Sequence, residues 1–359
     1  MSAVGSYRAK RDTQERILRA FLEQATGGRE MGLAPTQVPS SPPVGVRPAI
    51  PGEVGPVRPS SARSPLPTVS GQRTEVGPGS ILGGKYRLVR LLGRGAVGEV
   101  YEALHEVIGM RVAVKLIRFE HASNSELNAR FLRAARAAAA VGHPGIVQVR
   151  DVGTSPDGRT YLVLEFLEGE DFEKVLARRR RLPVAEAAKV LVEVLEALGA
   201  AHAKGVVHRD MRPGNVFLVP GRKGGRTVKL LDFGIARLVD AADSEPRLTR
   251  PGAVMGTPHY MSSEQARGER TVDAGVDIYA VGVMLYEAVT GQLPFTGSSY
   301  YEVLLKVLAE PFPSARAARP DLPEELERII GKACARRRED RYRDAGEFAD
   351  ALLPLSGAA

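Results

Sequence analysis

The chain has 359 residues, 43% of them hydrophobic and 26% charged, and 50 lysines and arginines against 42 aspartates and glutamates give a formal charge of +8. This composition is typical of globular proteins, and at roughly 150 residues a domain it allows two domains or one two-lobed unit, which excludes a peptide-sized or fibrous protein. The positive surplus is shared equally by residues 1–80 and 81–359, at +4 each, so neither part carries the basic stripe of a nucleic-acid binder.

The cysteine content and the lengths of the apolar runs indicate in which cellular compartment the protein is expected. Cys334 is the one cysteine, so an internal disulfide and a cysteine-based zinc site are excluded. The first 30 residues lack the apolar core of a secretion signal, and no stretch approaches the roughly 18 continuous apolar residues of a spanning helix. We therefore expect a soluble, cytoplasmic protein with neither a membrane nor a nucleic acid as partner.

The first 80 residues are expected to lie outside the main folded body. Within an N-terminal segment 1–30, residues 8–25 predict a short amphipathic helix, which either docks loosely on the body or binds a regulatory partner; its apolar face carries Ile17, Leu18, Phe21, Leu22 and Ala25. Residues 31–80 hold 11 of the 25 prolines and no aromatic residue. Such a segment buries too little apolar surface to fold, so it is predicted to be a disordered linker.

From residue 86 the pattern is that of a folded domain. The segments YRLVRLLG, GEVYEAL and MRVAVKLI alternate or run apolar with β-branched residues, as strands do. Beyond Leu182 the apolar residues recur with a helical period, including Ala185–His202 and Val276–Thr290. The sequence thus predicts a small sheet followed by a larger helical body.

Three glycines lie between the first two predicted strands. Gly93, Gly95 and Gly98 in GRGAVGEV would let the backbone cover the phosphates of a nucleotide. A glycine triplet of the dinucleotide-binding type should open a helix, whereas residues 99–101 continue as a strand. Taken alone, a glycine-rich hairpin without function explains the triplet equally well.

Polar residues suited to phosphate chemistry follow in a definite order. Lys115 lies in VAVK on the third strand, where an ammonium can pair with phosphate oxygens. After a further strand, Tyr161–Glu165, a loop contains His208–Asp210 and Asn215, and Asp232 follows another apolar strand. A lysine, two carboxylates and an amide are the groups that hold a metal-bound triphosphate.

With these motifs, residues 86–354 resemble a bacterial (Hanks-type) serine/threonine protein kinase. The resemblance implies an α+β, two-lobed protein-kinase fold. Residues 86–167 would form a small, mainly antiparallel β lobe and the hinge, and residues 168–354 a larger α-helical lobe. It also implies ATP and Mg²⁺ as cofactors, and serine and threonine hydroxyls of proteins, including its own, as acceptors.

The resemblance assigns roles by matched position. Asp210 would accept or orient the substrate hydroxyl, Arg212 would contact phosphate, and Asn215 and Asp232 would hold magnesium. Leu164 would be the gatekeeper beside a nucleotide site made of Leu92, Gly93, Arg94, Gly95, Ala96, Val97, Gly98, Glu99, Val100, Ala113, Lys115, Glu165, Leu167 and Phe217. Among these, Leu92, Val100, Ala113 and Phe217 would sandwich adenine, although apolar residues at such positions could also be core.

The same resemblance makes Asp232–Glu264 the activation segment. Ser244 and Thr249 are candidate phosphate acceptors that Arg209 could bind, or else merely solvated residues, and Thr257 would shape the acceptor pocket. Asp277 would tie the catalytic loop to a central helix. Arg341 would pair with Glu264 and contribute geometry more than stability.

Three positions depart from the family pattern. Ala134 stands nine residues before His143, where a glutamate normally pairs with the strand lysine; its neighbours Arg130, Arg133 and Arg136 have the wrong sign, and Glu126 lies about 80° round the helix. Arg212 replaces the catalytic-loop lysine. Ser262–Ser263–Glu264 replaces Ala-Pro-Glu, which we expect to cost little.

Two hypotheses from different classes therefore compete. The first is an active kinase with weak basal turnover, favoured because Lys115, Asp210, Asn215 and Asp232 are all present. The second is a pseudokinase that acts as a nucleotide-binding or scaffold module, suggested by Ala134, Arg212 and Ser263. A small-molecule kinase is disfavoured, because the long activation segment and GTPHYMSSEQARG are protein-kinase features.

Overall fold

A computed structural model of the chain describes residues 76–95, 98–118, 125–221, 225–233, 258–269 and 271–357, without the side chains of residues 125–127 and 130. Several predictions fall outside this part of the chain: the amphipathic helix in residues 8–25, most of the linker, and the residues Ala96, Val97, Ser244, Thr249 and Thr257.

A six-stranded antiparallel sheet forms the first lobe, as predicted. Its strands have the spatial order β1-β2-β3-β4-β6-β5. Their bounds are β1 Ile81–Leu82, β2 Tyr86–Arg94, β3 Gly98–His105, β4 Arg111–Ile117, β5 Val149–Thr154 and β6 Thr160–Glu165. One face of this sheet buries a cluster that includes Tyr101, Val112, Val114, Leu116 and Val163.

The folded lobe extends upstream of residue 86. Leu82 is fully buried and Val76 is 9% exposed within the same cluster, and Gly79 N–H donates to the carbonyl oxygen of Leu88 at 2.7 Å. These contacts attach residues upstream of the predicted domain start, residue 86, to the first lobe. Residues 76–80, assigned to the linker from their proline and glycine, belong to the folded body.

A helix covers the other face of the sheet. Because side chains alternate along a strand, Ala113, Lys115 and Ile117 of β4 point away from that buried cluster. On this side Ile117 packs with Phe131 and Ala135 of helix α1, Ser125–Val141. Lys115 thus lies on the sheet face that α1 covers.

The second lobe is mostly helical, with a three-stranded sheet of order β7-β8-β9 at its edge. Two of its helices, predicted from periodicity as Ala185–His202 and Val276–Thr290, begin one residue earlier than predicted and end at the predicted residue. The bounds are β7 Glu170–Asp171, α2 Phe172–Arg179, α3 Val184–His202, β8 Val216–Pro220, β9 Arg226–Leu230, α4 Ser263–Ala266, α5 Gly275–Thr290, α6 Tyr300–Ala309, α7 Ala315–Ala318, α8 Glu324–Ala333 and α9 Ala345–Leu352.

Helix α5 is the central element of this lobe. Every residue in it except Glu287 is buried, which is the pattern of a helix enclosed on all sides. Gly291 ends it in the left-handed conformation, with φ 75°, and donates its N–H to the carbonyl oxygen of Glu287. The helix carries Asp277 into the interior, beneath the loop that follows α3.

Candidate active site

The loop after α3 is held from below by Asp277. This carboxylate, 1% exposed, accepts hydrogen bonds from the backbone N–H groups of His208 and Arg209, each at 2.8 Å. His202 Nε2 lies 2.8 Å from its Oδ2. A buried carboxylate is stable only when its oxygens are paired in this way, so the predicted tie between loop and central helix is confirmed.

Asp210 and Asn215 lie against each other at the top of this loop. Asn215 Nδ2 donates to the backbone oxygen of Asp210 at 2.7 Å and to its Oδ2 at 3.1 Å. Burial raises the pKa of Asp210, while His208, Arg212 and the Asn215 hydrogen bond act in the opposite direction. The two side chains therefore form one unit, with the amide oxygen of Asn215 left as an acceptor.

Lys115 and Asp232 meet across the two lobes. Lys115 Nζ lies 2.5 Å from Asp232 Oδ1, although 117 positions separate the residues. The lysine side chain is only 8% exposed. Asp232 follows β9 in a left-handed conformation with φ 58°, and the Phe233 ring packs on His208, with ring centroids 4.6 Å apart. The structure thus brings Lys115, Asp210, Asn215 and Asp232 to one cleft.

On the face of β4 that carries Lys115, helix α1 places the methyl group of Ala134 where related kinases have a carboxylate. Ala134 is partly buried and packs, with Leu164, against the cluster of Ile117, Phe131, Ala135 and Leu162. Leu162 pairs with Lys115 in the strand register. Helix α1 therefore presents Ala134 to the Lys115 side of the sheet, as the sequence predicted.

The three glycines of the β2–β3 hairpin have different surroundings. A Cβ on Gly98 would collide with the carbonyl oxygen of Leu116, so Gly98 is required by the close approach of β3 and β4. Gly93 faces open space, and Gly95 donates its N–H to the Gly98 oxygen at 2.8 Å, which closes the turn. Among the described residues, therefore, open space lies beside Gly93 but not beside Gly98.

The flanking charges of this hairpin pair with each other. Arg94 Nε lies 2.9 Å from Glu99 Oε1, and Tyr101 donates its hydroxyl to Glu99 Oε2 at 2.9 Å. The side chains of Arg94 and Glu99 are thus engaged in the hairpin itself, which favours a role for their backbone rather than their charges at the nucleotide site.

The four apolar residues expected to line the adenine site are all at least partly exposed. Leu92 is 41% exposed, and Val100, Ala113 and Phe217 are half-buried. The buried clusters of the described residues do not include these four side chains. Of the two alternatives, pocket wall or core, this exposure favours the wall.

The hinge after β6 contains an ion pair that the sequence analysis missed. Glu165 Oε1 lies 2.6 Å from Lys229 Nζ of β9 and accepts a hydrogen bond from Gln148 N–H at 2.9 Å. Both charged side chains are mostly buried, at 18% and 17% exposure. The available signal was a lysine between the two buried residues Val228 and Leu230 of β9. Leu167, two residues further, is half-buried.

The donor set of the cleft fits a divalent cation held together with phosphate. Carboxylate and amide oxygens are hard ligands, and Asp232 and Asn215 supply one of each. In the described ranges, no group of three His, Cys, Asp or Glu residues could hold a metal by itself. A cation bound by these two residues would complete its coordination with phosphate oxygens and water.

The residues at the other two departures from the family pattern, Arg212 and Ser262–Ser263, each form hydrogen bonds or ion pairs in the structure. Arg212 Nη2 lies 3.4 Å from Glu173 Oε2. Ser262 caps α4, and Ser263 Oγ donates to the backbone oxygen of Arg336 at 3.0 Å. The predicted Glu264–Arg341 pair is confirmed as a bidentate contact, at 2.7 and 2.8 Å.

Comparisons with known proteins agree with this geometry. Residues 86–350 match the family model described as protein kinase domain. The chain is 42% identical over 281 residues to serine/threonine-protein kinase PknA of Mycobacterium tuberculosis, covering 77% of this chain and 62% of that protein. It is 39% identical over 272 residues to serine/threonine-protein kinase pkn3 of Myxococcus xanthus, covering 75% and 50%.

The chain thus spans from about half to three fifths of the length of these relatives. Among solved structures, the Mycobacterium tuberculosis PknI kinase domain superposes with a TM-score of 0.61 at 31% identity, over 78% of this chain and all of that one. In the part of our chain that the structure describes, no helix has the length and apolar character required to cross a membrane.

Proposed function

Because the chain belongs to the protein kinase domain family, we propose that it is an ATP-dependent serine/threonine protein kinase. The observation that carries the proposal is the Lys115–Asp232 contact of 2.5 Å between the lobes, beside the paired Asp210 and Asn215. These are the groups that position a triphosphate and its acceptor, and phosphoryl transfer needs positioning and charge more than covalent chemistry.

Each residue has a separable task in the proposed reaction. Asp210 orients the acceptor hydroxyl and takes its proton, and Arg212 contacts the transferred phosphate. Asn215 and Asp232 would hold Mg²⁺, which would neutralise phosphate charge when bound. Lys115 pairs with the α- and β-phosphate oxygens.

The nucleotide lies between the lobes in this proposal. The β2–β3 hairpin, residues 93–100, covers the phosphates, and the hinge backbone of Glu165 and Leu167 bonds the edge of adenine. Leu92, Val100, Ala113 and Phe217 enclose the ring, which suits the exposed Leu92 and the half-buried side chains of the other three.

We further propose that basal turnover is weak, because Ala134 offers no carboxylate to Lys115. Phosphorylation of the activation segment, by the protein itself, or a regulatory partner of residues 1–80 would raise it. The pseudokinase alternative is not adopted, since Lys115, Asp210, Asn215 and Asp232 are all in place. A cytoplasmic location completes the proposal, because the reaction consumes ATP.

The test is transfer of labelled γ-phosphate from Mg-ATP to the protein itself and to dephosphorylated casein. We expect label with the wild type and a loss of at least a hundredfold for Asp210→Asn, which keeps the shape but cannot take the proton. Equal label in both proteins, or none in either, would contradict the proposal. A thermal shift on adding Mg-ATP without transfer would instead support the pseudokinase.

A further inference from the structure

The side chain of Gln265 connects helix α4 to the catalytic loop. Its Oε1 accepts the backbone N–H of Ser262 at 3.1 Å, and the backbone N–H of Gln265 donates to Ser262 Oγ at 3.4 Å, which makes a capping box. The other end of the amide, Nε2, donates to the backbone oxygen of Arg209 at 2.8 Å. Because one end must accept and the other must donate, only this orientation of the amide satisfies both partners.

Arg209 is the strained residue of the catalytic loop. It adopts φ 68°, a left-handed conformation that costs an arginine free energy and persists only when neighbouring groups hold it. Asp277 Oδ1 accepts its N–H at 2.8 Å, and Gln265 binds its carbonyl oxygen. Hydrogen bonds from two different helices thus hold the polar groups on both sides of this residue.

The carbonyl that Gln265 binds belongs to the peptide group joining Arg209 to Asp210. The N–H at the other end of that peptide group, on Asp210, faces His208 Nδ1 at 3.3 Å. The long His208 contact is the weaker of these two hydrogen bonds, so Gln265 is the stronger restraint on the plane of this peptide group, while Asn215 restrains the Asp210 carboxylate itself. That plane sets the direction in which the Asp210 side chain leaves the backbone.

We propose that Gln265 is a positioning residue for the transfer reaction, which fixes the Arg209–Asp210 peptide group and so aims the Asp210 carboxylate at the acceptor hydroxyl. The inference rests on the proposed kinase function. Since Gln265 lies in α4, just after the segment 258–262, it also links the chain that leads into this helix to the catalytic loop. A change in the position of α4 would therefore reach Asp210 through a single amide.

The decisive variant is Gln265→Glu. A carboxylate of the same shape still accepts the Ser262 N–H, so the capping box remains, but it has no donor for the Arg209 oxygen and repels it. We expect kcat to fall roughly ten- to hundredfold, as for a small misplacement of a catalytic group. The KM for ATP should stay within about twofold, since Gln265 is remote from the proposed nucleotide contacts.

Gln265→Met, which is similar in length and has no hydrogen-bonding amide, serves as a second variant in case the carboxylate disturbs folding. It should show the same fall in kcat at a temperature where its melting curve is still flat. Gln292→Glu is the matched control, because Gln292 is an exposed residue of the same lobe. Its kcat and KM should equal those of the wild type.

The assay is labelled-phosphate transfer to dephosphorylated casein with the full chain. An active wild type with both Gln265 variants within twofold in kcat overturns the inference alone. A parallel fall in kcat and rise in the KM for ATP also overturns it, because that indicates a general structural effect. A wild type no more active than Asp210→Asn overturns the proposed function and, with it, this inference.

Discussion

Lys115 has a buried charge that needs a partner. Its side chain is 8% exposed, and an ammonium at that depth is stable only when paired. Asp232 provides the carboxylate, at 2.5 Å. The same carboxylate is the proposed metal ligand, so Lys115 and a bound cation would share Asp232. This sharing is the physical reason for expecting slow turnover in a chain with alanine at position 134.

A carboxylate at position 134 should relieve that sharing. Ala134 packs on the sheet face that carries Lys115, so we expect the Ala134→Glu side chain to pair with the ammonium and leave Asp232 to the metal. One charged hydrogen bond is worth about 1.5 kcal/mol, so kcat/KM for ATP should rise roughly tenfold. Steady-state kinetics with varied Mg-ATP measure the change.

The matched control for this gain is Ala139→Glu. It adds the same side chain to the exposed side of α1, away from the sheet, and its kinetics should equal those of the wild type. If Ala134→Glu leaves kcat/KM unaltered, or if both variants change it equally, Lys115 has no need of a second carboxylate.

Helix α1 is attached to the sheet by a side-chain hydrogen bond as well as by packing. Thr160 Oγ1, at the start of β6, donates to Asn128 Oδ1 in the first turns of the helix at 2.8 Å. Phe131 and Ala135 pack below it against Ile117 and Leu162. Without the lysine–glutamate contact usual in the family, these interactions position α1.

The hydrogen bond can be isolated with a double-mutant cycle. Asn128→Ala and Thr160→Val should each lower the free energy of unfolding by about 1 kcal/mol, and the double variant should lose less than the sum, with a coupling of about 0.5–1.5 kcal/mol. Urea unfolding of the four proteins gives the numbers. Additive losses would show that the two side chains act independently and that packing alone holds the helix.

The elements were predictable where one physical signal dominated the sequence. Apolar periodicity located α3 and α5 because both helices bury most of their surface in one core, and β-branched runs located β2 to β4. The motif positions predicted the cleft residues Lys115 and Asp232. Val76 and Leu82 were missed because proline and glycine around them indicate a linker, whereas tertiary burial decides their state.

Contacts between distant polar side chains were not predictable. Fifty-six positions separate Gln265 from Arg209, and 64 separate Glu165 from Lys229. Their local sequences contain no pattern that predicts these contacts. They depend on how the loop, the hinge and β9 are placed by the finished fold. For the same reason the close approach that requires Gly98 became visible only with the register of β3 and β4.

At the scale of the molecule, ion pairs join parts that are far apart in the sequence. Glu165–Lys229 connects the hinge to β9, and Lys115–Asp232 connects the upper sheet to the second residue after β9. Glu264–Arg341 joins α4 to the loop before α9, with Arg341 fully buried and Glu264 10% exposed as side chains. This last pair offers the clearest link between protonation and the stability of the whole lobe.

Burial favours the neutral form of Glu264, but the two hydrogen bonds and the charge of Arg341 outweigh it, so the pKa of Glu264 is lowered below its ordinary value of 4.5. A depressed carboxyl pKa contributes stability that is fully present above the unfolded-state value and is lost as pH falls through the folded-state value. The stability that Glu264 contributes is therefore lost at and below about pH 4.5.

Glu264→Gln leaves the buried Arg341 charge unpaired, so we expect it to lower the free energy of unfolding at pH 7 by about 3–5 kcal/mol. The difference from the wild type should shrink as the pH falls below 4.5, because the wild type then loses the same pair by protonation. Urea unfolding at a series of pH values measures this difference.

The control variant is Glu168→Gln, which breaks the exposed pair with Arg111. It should lower the free energy of unfolding by less than about 1 kcal/mol. A deficit for Glu264→Gln that is constant from pH 7 to pH 3 would show that its carboxylate charge does not stabilise the lobe.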